Sequence, residues 1–231
     1  MKKRKASEIS PRKLPRQARS AQLVEATLEA AIRILTRDGA QRFTAARVAE
    51  EAGVSVGSLY QYFPNKESIL FRLQTDEWRR TGELLDGIMG DRTREPERRL
   101  RDMVVAFFRS EWEEAALRTA LGDAAPAYRD APEVAEHRRS GRRRSLRFMA
   151  EMLPGATPQV RRFTGELVMG VTSAMGKNIS ERARSAAEVE AWGVAIGDML
   201  CAYLRAQGHG PSDRVKSMKT RSGAGTYRLR G

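Results

Sequence analysis

The chain of 231 residues is predicted to be all-α. Apolar residues recur at three- and four-residue steps along most of it, the spacing that lines one face of a helix. Proline, glycine, serine and asparagine fall where those runs begin and end. No segment alternates apolar and polar residues for long enough to make a strand, and no internal repeat is present. The expected architecture is a three-helix unit containing a helix-turn-helix, followed by a larger helical bundle, with about nine helices in total.

The first helix starts near Gln22, carries Leu23, Ala26, Thr27, Ala30, Ile34 and Leu35 on one face, and stops at Gly39. A short second helix covers about Thr44 to Ala52. Gly53 suits the left-handed position after a helix, and Ser55 suits the N-cap of a third helix over Val56–Tyr62. Pro64 ends that helix, and Asn65 caps a fourth that runs to about Met89. After a connection over Gly90–Pro96, Glu97–Leu121 is predicted as a single helix, with Leu100, Met103, Val104, Phe107, Phe108 and Trp112 apolar. Gly122–Pro132 reads as an irregular joint. Glu133–Leu153, Pro158–Glu181 and Ala186–Gln207 complete the bundle.

Composition excludes several kinds of chemistry. Hydrophobic residues make up 41% of the chain, enough for a sizeable core. One cysteine, Cys201, and two distant histidines, His137 and His209, leave no disulfide and no metal centre. Adjacent carboxylates such as Glu113 and Glu114 diverge on a helix, so acid/base catalysis has no support. Gly170–Asn178 resembles a phosphate-binding loop, but five residues rather than four separate its glycines, and Asn178 stands where Ser or Thr is needed. No catalytic residue, cofactor or metal is expected. No apolar run reaches the roughly 18 residues of a membrane helix, and the basic start lacks an apolar signal segment. The expected location is the cytoplasm, without membrane contact.

Charge is unevenly placed. The formal net charge is +13, from 42 Lys/Arg against 29 Asp/Glu. Residues 1–19 hold eight cations and one acid, and residues 208–231 hold six and one. The body between them is nearly neutral. The expected organisation is a flexible basic arm (1–19), a helix-turn-helix unit (20–80), a helical bundle (81–207) and a disordered basic tail (208–231).

The most informative stretch is FTAARVAEEAGVSVGSLYQYFPNK, residues 43–66. Two short helices joined by a glycine turn have the form of a helix-turn-helix, whose second helix enters the major groove of DNA. Val56, Gly57 and Ser58 open that helix. Small residues there allow close approach, Ser55 and Ser58 offer hydroxyls, and Val56 can touch a thymine methyl. Tyr60 and Tyr62 are expected to reach phosphates, the alternative being packing with wet hydroxyls. Lys66 stands in the first turn of the fourth helix, where a cation is unfavourable unless an anion binds beside it.

This stretch resembles the DNA-binding unit of the TetR family of bacterial transcriptional regulators, which reads roughly T-x-x-x-I-A-x-x-A-G-V-S-x-G-x-x-Y-x-Y-F-x-x-K. Thr44, Val48, Ala49, Ala52, Gly53, Val54, Ser55, Gly57, Tyr60, Tyr62, Phe63 and Lys66 occupy its positions, with Val48 replacing the commoner isoleucine. The resemblance implies a homodimer on a near-palindromic double-stranded operator, most simply a repressor released by a small molecule. An activator or effector-independent regulator, or a helical binding protein or enzyme that has lost DNA binding, are the alternatives. The expected DNA-binding residues are Thr44, Ser55, Val56, Gly57, Ser58, Tyr60, Tyr62 and Lys66, with Arg12, Lys13, Arg16 and Arg19 of the arm on phosphates or in the minor groove.

In the bundle the expectations are coarser. Phe107, Phe108, Trp112, Phe148, Met149, Met152 and Met169 are candidates for an apolar effector pocket suited to an aromatic or lipophilic molecule. Phe163, Leu167 and Val171 on the penultimate helix, with Trp192, Ile196, Leu200 and Leu204 on the last, are candidates for the dimer interface that the resemblance implies. Gly193 and Gly197 form a small strip beside the latter stripe. Arg138, Arg139, Arg142, Arg143, Arg144 and Arg147 are expected to form a solvated face offset by acids such as Glu95, Glu97, Glu111 and Glu113, with an anionic ligand or acidic partner as the alternative.

Overall fold

The computed structural model describes residues 18–124 and 131–208. Arg12, Lys13 and Arg16 of the expected arm, the Arg19 side chain, part of the joint at 122–132, and the tail from His209 onward lie outside the described residues. Nine α-helices and no strand occur among those described: α1 (Ala18–Asp38), α2 (Ala45–Glu51), α3 (Val56–Tyr62), α4 (Lys66–Gly90), α5 (Pro96–Glu113), α6 (Ala115–Ala124), α7 (Pro132–Met152), α8 (Pro158–Arg182) and α9 (Ala186–Gly208). A 3-10 turn at Ala40–Arg42 joins α1 to α2. Proline stands in the first turn of α5, α7 and α8, where its fixed φ suits the helix and its missing N–H costs nothing.

The single helix expected over 97–121 is two. The chain leaves helical geometry at Glu114 (φ −106, ψ 14). The two halves serve different cores, which is the physical reason for the break. α5 buries Leu100, Met103, Val104 and Phe108 in the bundle, whereas α6 buries Leu117, Ala120 and Leu121 under α1. One residue out of register leaves the apolar period almost unchanged, so periodicity does not reveal it.

The first core is formed by α1 to α4 and closed by α6. Ile34, Leu35, Phe43, Leu59, Phe63 and Ile69 are at its centre, and Ala131 and Val134 join it from beyond residue 80. The second core lies among α5, α7, α8 and α9, around Leu100, Phe108, Met149, Leu153 and Leu200. Burying each such side chain stabilises the fold by about 1.5–3 kcal/mol.

Helix α9 lies along α5 inside the same chain. A Cβ on Gly193 would stand 2.9 Å from Val105 Cα, and one on Gly197 would stand 3.1 Å from Arg101 Cα. The small strip therefore serves this internal crossing, which Arg101–Asp198 (2.6 Å) and Arg109–Glu190 (3.0 Å) flank. Three interface candidates are corrected by the same packing. Ile196, Leu200 and Leu204 are buried in the chain's own second core, because the stripe they share faces α5. Leu167 and Val171 are half-buried, while Phe163 and Trp192 point outward.

Candidate nucleic-acid interface and internal chamber

The turn between α2 and α3 follows from its residues. Gly53 adopts φ 67, a conformation costly for residues with a Cβ. Its N–H donates to Glu50 O (3.0 Å), and the Val54 N–H donates to Ala49 O (2.9 Å). That pair of bonds is a Schellman motif, with Val54 packed on the first core. Ser55 Oγ then caps α3 by accepting from the Ser58 N–H at 3.0 Å, and the two serine hydroxyls are 2.8 Å apart. Thr44 caps α2 in the same way, accepting from the Arg47 N–H at 3.3 Å. Asn65 and Ser68 form a capping box at the start of α4.

These caps assign structural work to three of the expected contact residues. Thr44 and Ser55 are exposed yet committed to caps, and Ser58 is half-buried beside Ser55. Leu59 anchors α3 at 0% exposure, leaving Val56, Gly57, Tyr60 and Gln61 on the outer face. Tyr62 is half-buried against the first core, so its ring packs. Gln61 is exposed on the same face, a position the motif does not mark. It stands almost opposite Leu59 on the helix, and its amide has the paired donor and acceptor that match adenine in the major groove. Angular position relative to Leu59 is the sequence signal that places it on the outer face.

Charge pairing sharpens the picture of a neutral unit. Arg33 and Arg37 share Glu51, Arg47 holds Asp38, Arg72 holds Asp76, and Arg80 reaches Glu114 at 3.7 Å. The Arg37 and Arg47 guanidinium groups keep the Asp38 carboxyl below its usual range, as Arg33 and Arg37 do for Glu51. Arg42 and Lys66 remain exposed cations with no acidic partner among the described residues. They lie just before α2 and at the first residue of α4, either side of the helix-turn-helix in sequence. Arg42 had no motif to mark it.

The second feature is a chamber of about 680 Å³, partly open to solvent and lined by residues of α4 to α8. Leu100, Met103, Phe107, Phe148, Met149 and Val168 form its apolar wall. Met169 also lines it, though 44% exposed. Phe108, Trp112 and Met152 do not line it. Phe108 is fully buried in the second core, the Trp112 indole donates to Ala183 O at 3.2 Å, and Met152 packs on that core from the side.

The polar side of the chamber was not anticipated. Arg118 of α6 reaches Glu77 of α4 at 2.9 Å, Glu114 at 3.2 Å, and Glu111 of α5. It also donates to Thr81 Oγ1 (3.0 Å) and Ser110 Oγ (2.6 Å). Burial pushes the Glu77 carboxyl above its usual range although Arg118 pulls the other way. His137 of α7, which also lines the chamber, stacks on Trp78 of α4 with ring centroids 4.4 Å apart. Desolvation, then Arg144 and Arg138, lower its pKa. Thr172 also lines the chamber, and its hydroxyl is buried with no hydrogen-bond partner among the described residues.

The arginine-rich stretch of α7 is offset by other acids than those expected. Arg139 and Arg143 pair with Glu136 (2.8 and 2.7 Å), and Arg144 pairs with Asp86 (2.5 Å). Arg144 also donates to Gly82 O at 3.1 Å, tying α7 to α4. Glu97 pairs with Arg101, and Glu111 with Arg118, so neither acid balances α7.

Among the described residues, no helix is long and apolar enough to cross a membrane and no group of His, Cys, Asp or Glu could hold a metal ion. Residues 28–73 match the model of bacterial regulatory proteins of the tetR family, and residues 95–207 match that of the tetracyclin repressor-like C-terminal domain. No curated protein matches the chain. Solved structures do. The fatty acid degradation regulator FadR of Bacillus halodurans aligns with TM-score 0.62 at 18% identity, covering 81% of this chain and 97% of its own. FadR of Bacillus subtilis in complex with stearoyl-CoA gives 0.60 at 14%, over 77% and 97%. The ketosteroid regulator KstR2 of Mycobacterium tuberculosis gives 0.57 at 17%, over 84% and 97%. At these identities the likeness is one of fold. The two family models span most of the chain, and it belongs to the TetR family of bacterial transcriptional regulators.

Proposed function

We propose that this regulator is a homodimeric repressor that leaves its operator when a small molecule fills the chamber. The observation that carries the reading is the double membership of α6. Leu117, Ala120 and Leu121 belong to the core beneath the helix-turn-helix, while Arg118 and Thr119 of the same helix line the chamber. A ligand that shifts Arg118 therefore acts on α4 through Glu77 and on α1 through α6 packing. Ligand binding favours whichever arrangement it fits better, and operator release requires that arrangement to separate the two α3 helices wrongly.

In this reading residues 20–80 and 81–207 divide the labour, with α6 shared between them. Val56, Gly57, Tyr60 and Gln61 read bases or reach the backbone from α3, and Lys66 and Arg42 hold phosphates. Arg12, Lys13, Arg16 and Arg19 add salt-sensitive affinity. The outward apolar residues Phe163, Trp192, Val194 and Met199, 44–62% exposed, supply the centre of a two-fold interface, with Leu167 and Val171 at its inner edge. Such a dimer places two α3 helices about one DNA turn apart.

The test is a mobility shift on the DNA upstream of the chain's own gene at moderate salt. Wild type is expected to give a specific shift that the Tyr60→Ala/Lys66→Ala variant loses while keeping its helical circular dichroism. No specific shift by wild type would contradict the reading. Sedimentation should show a dimer for wild type and a monomer for Phe163→Glu/Trp192→Glu.

A further inference from the structure

We propose that the chamber takes an amphipathic anion, with an apolar chain inside the bundle and a phosphate-bearing head held by Arg138, Arg142 and Arg162. The proposal rests on reading the chamber as an effector site and adds the chemistry of what enters it. A second cavity of about 350 Å³ lies between α7 and α8 and is lined by those three arginines. It shares His137, Gly141, Ser145 and Met169 with the chamber. Gly141 and Met169, which line both, adjoin each other, an added Cβ at Gly141 standing in ordinary contact, 3.5 Å, with the Met169 methyl. The two cavities are therefore neighbours across one glycine and one flexible methionine.

The guanidinium groups there are available. Arg139, Arg143 and Arg144 on the same helix are engaged by Glu136 and Asp86. Arg138, Arg142 and Arg162 are exposed, with no ion pair or side-chain hydrogen bond among the described residues. Glu166 is the one carboxylate lining this cavity. Three guanidinium groups around one groove match the oxygens of a phosphate, which each can bind through two parallel N–H donors.

Charge also fixes the orientation. On the α4–α6 side of the chamber, Glu77, Glu111 and Asp123 face two cations that are both already paired, Arg118 with carboxylates of that side and Arg144 with Asp86 and the Gly82 carbonyl. An anionic head finds no unpaired arginine there. Lys177 and Glu181 contribute one charge of each sign. The apolar wall formed by Leu100, Met103, Phe107, Phe148, Met149 and Val168 suits a hydrocarbon chain. The head accordingly belongs at the arginine groove and the chain inside.

The experiment compares dodecyl phosphate with dodecanol, which carry the same chain, by calorimetry on the full-length protein. Wild type is expected to bind the phosphate at least about tenfold more tightly, with an advantage that shrinks as salt rises. The triple variant R138Q/R142Q/R162Q is expected to lose about tenfold for dodecyl phosphate and to keep its affinity for dodecanol. Palmitoyl-CoA as a third probe separates a nucleotide-sized head from a simple phosphate, and tighter binding of either supports the shared chemistry. Equal affinity for phosphate and alcohol, or an unaffected triple variant, would overturn the arginine assignment while leaving the chamber as an effector site. Failure of wild type to bind any of the three would overturn the effector reading itself.

Discussion

The two cores of this chain are filled in different ways. Beneath the helix-turn-helix, Ala30, Ala31, Ile34, Phe43, Val48, Ala49, Leu59, Phe63 and Ile69 are each at most 1% exposed. The bundle core instead surrounds a chamber of about 680 Å³. It also holds every buried side-chain polar atom without a partner among the described residues: Arg99 Nε, Thr164 Oγ1 and Thr172 Oγ1. A close-packed core fixes geometry, whereas a hollow one leaves room for a second arrangement. The difference suits a molecule in which one half presents a helix in a fixed pose and the other half changes state.

Truncation should separate the two cores most sharply. Phe63→Ala is expected to cost about 3–5 kcal/mol in urea denaturation, because its ring is enclosed on all sides. Phe107→Ala should cost less than half as much, since that ring already borders the chamber. Equal losses would break the comparison.

The ion network comes next. Arg118→Met strands the Glu77 carboxylate and should cost about 3 kcal/mol. Adding Glu77→Gln should recover much of the loss; no recovery would mean that Arg118 acts by packing alone.

A smaller effect concerns pH. The folded pKa of His137 lies below the usual 6.5 because burial and two arginines disfavour its charged form. Its contribution to stability is thus intact above pH 6.5 and is lost as pH falls through the folded value. Thermal melts between pH 7.5 and 5 should show that loss, and His137→Phe, which keeps a ring on Trp78, should lessen it. An identical pH profile in the variant would remove His137 as the cause.

At the outer face of the first unit, stability should hardly move. Gln61→Ala and Lys66→Ala are expected to stay within about 0.5 kcal/mol of wild type. Lys66→Ala should nevertheless lower DNA affinity and reduce the salt slope by about 1. A clear stability loss would mean that these residues serve the fold.

Local signals were the readable ones. Thr44, Ser55 and Asn65 cap the helices they precede, Gly53 makes the turn, and α8 starts at Pro158 as expected, while α5 and α7 start one residue earlier than expected, at Pro96 and Pro132. The break at Glu114 was hidden because the apolar period continues across it. Helix α9 carries apolar residues on two faces, and periodicity does not say which faces α5 and which faces outward. Ile196, Leu200 and Leu204 turned inward, while Val194 and Met199, unmarked in the sequence, turned outward. The chamber was the hardest to foresee. Bulk marks Phe108 as well as Phe107, but only packing decides which one borders a void. Glu77, Glu111 and Arg118 converge from three helices, and no sequence spacing encodes that meeting.

The most direct measurement is selection of binding sites from a pool of random double-stranded DNA with the full-length protein. An inverted repeat with half-sites about one helical turn apart should be enriched by wild type. The folded Tyr60→Ala/Gln61→Ala/Lys66→Ala variant should enrich nothing. Enrichment of no sequence by wild type, or of the same repeat by the variant, would contradict the assignment of the α3 surface to DNA.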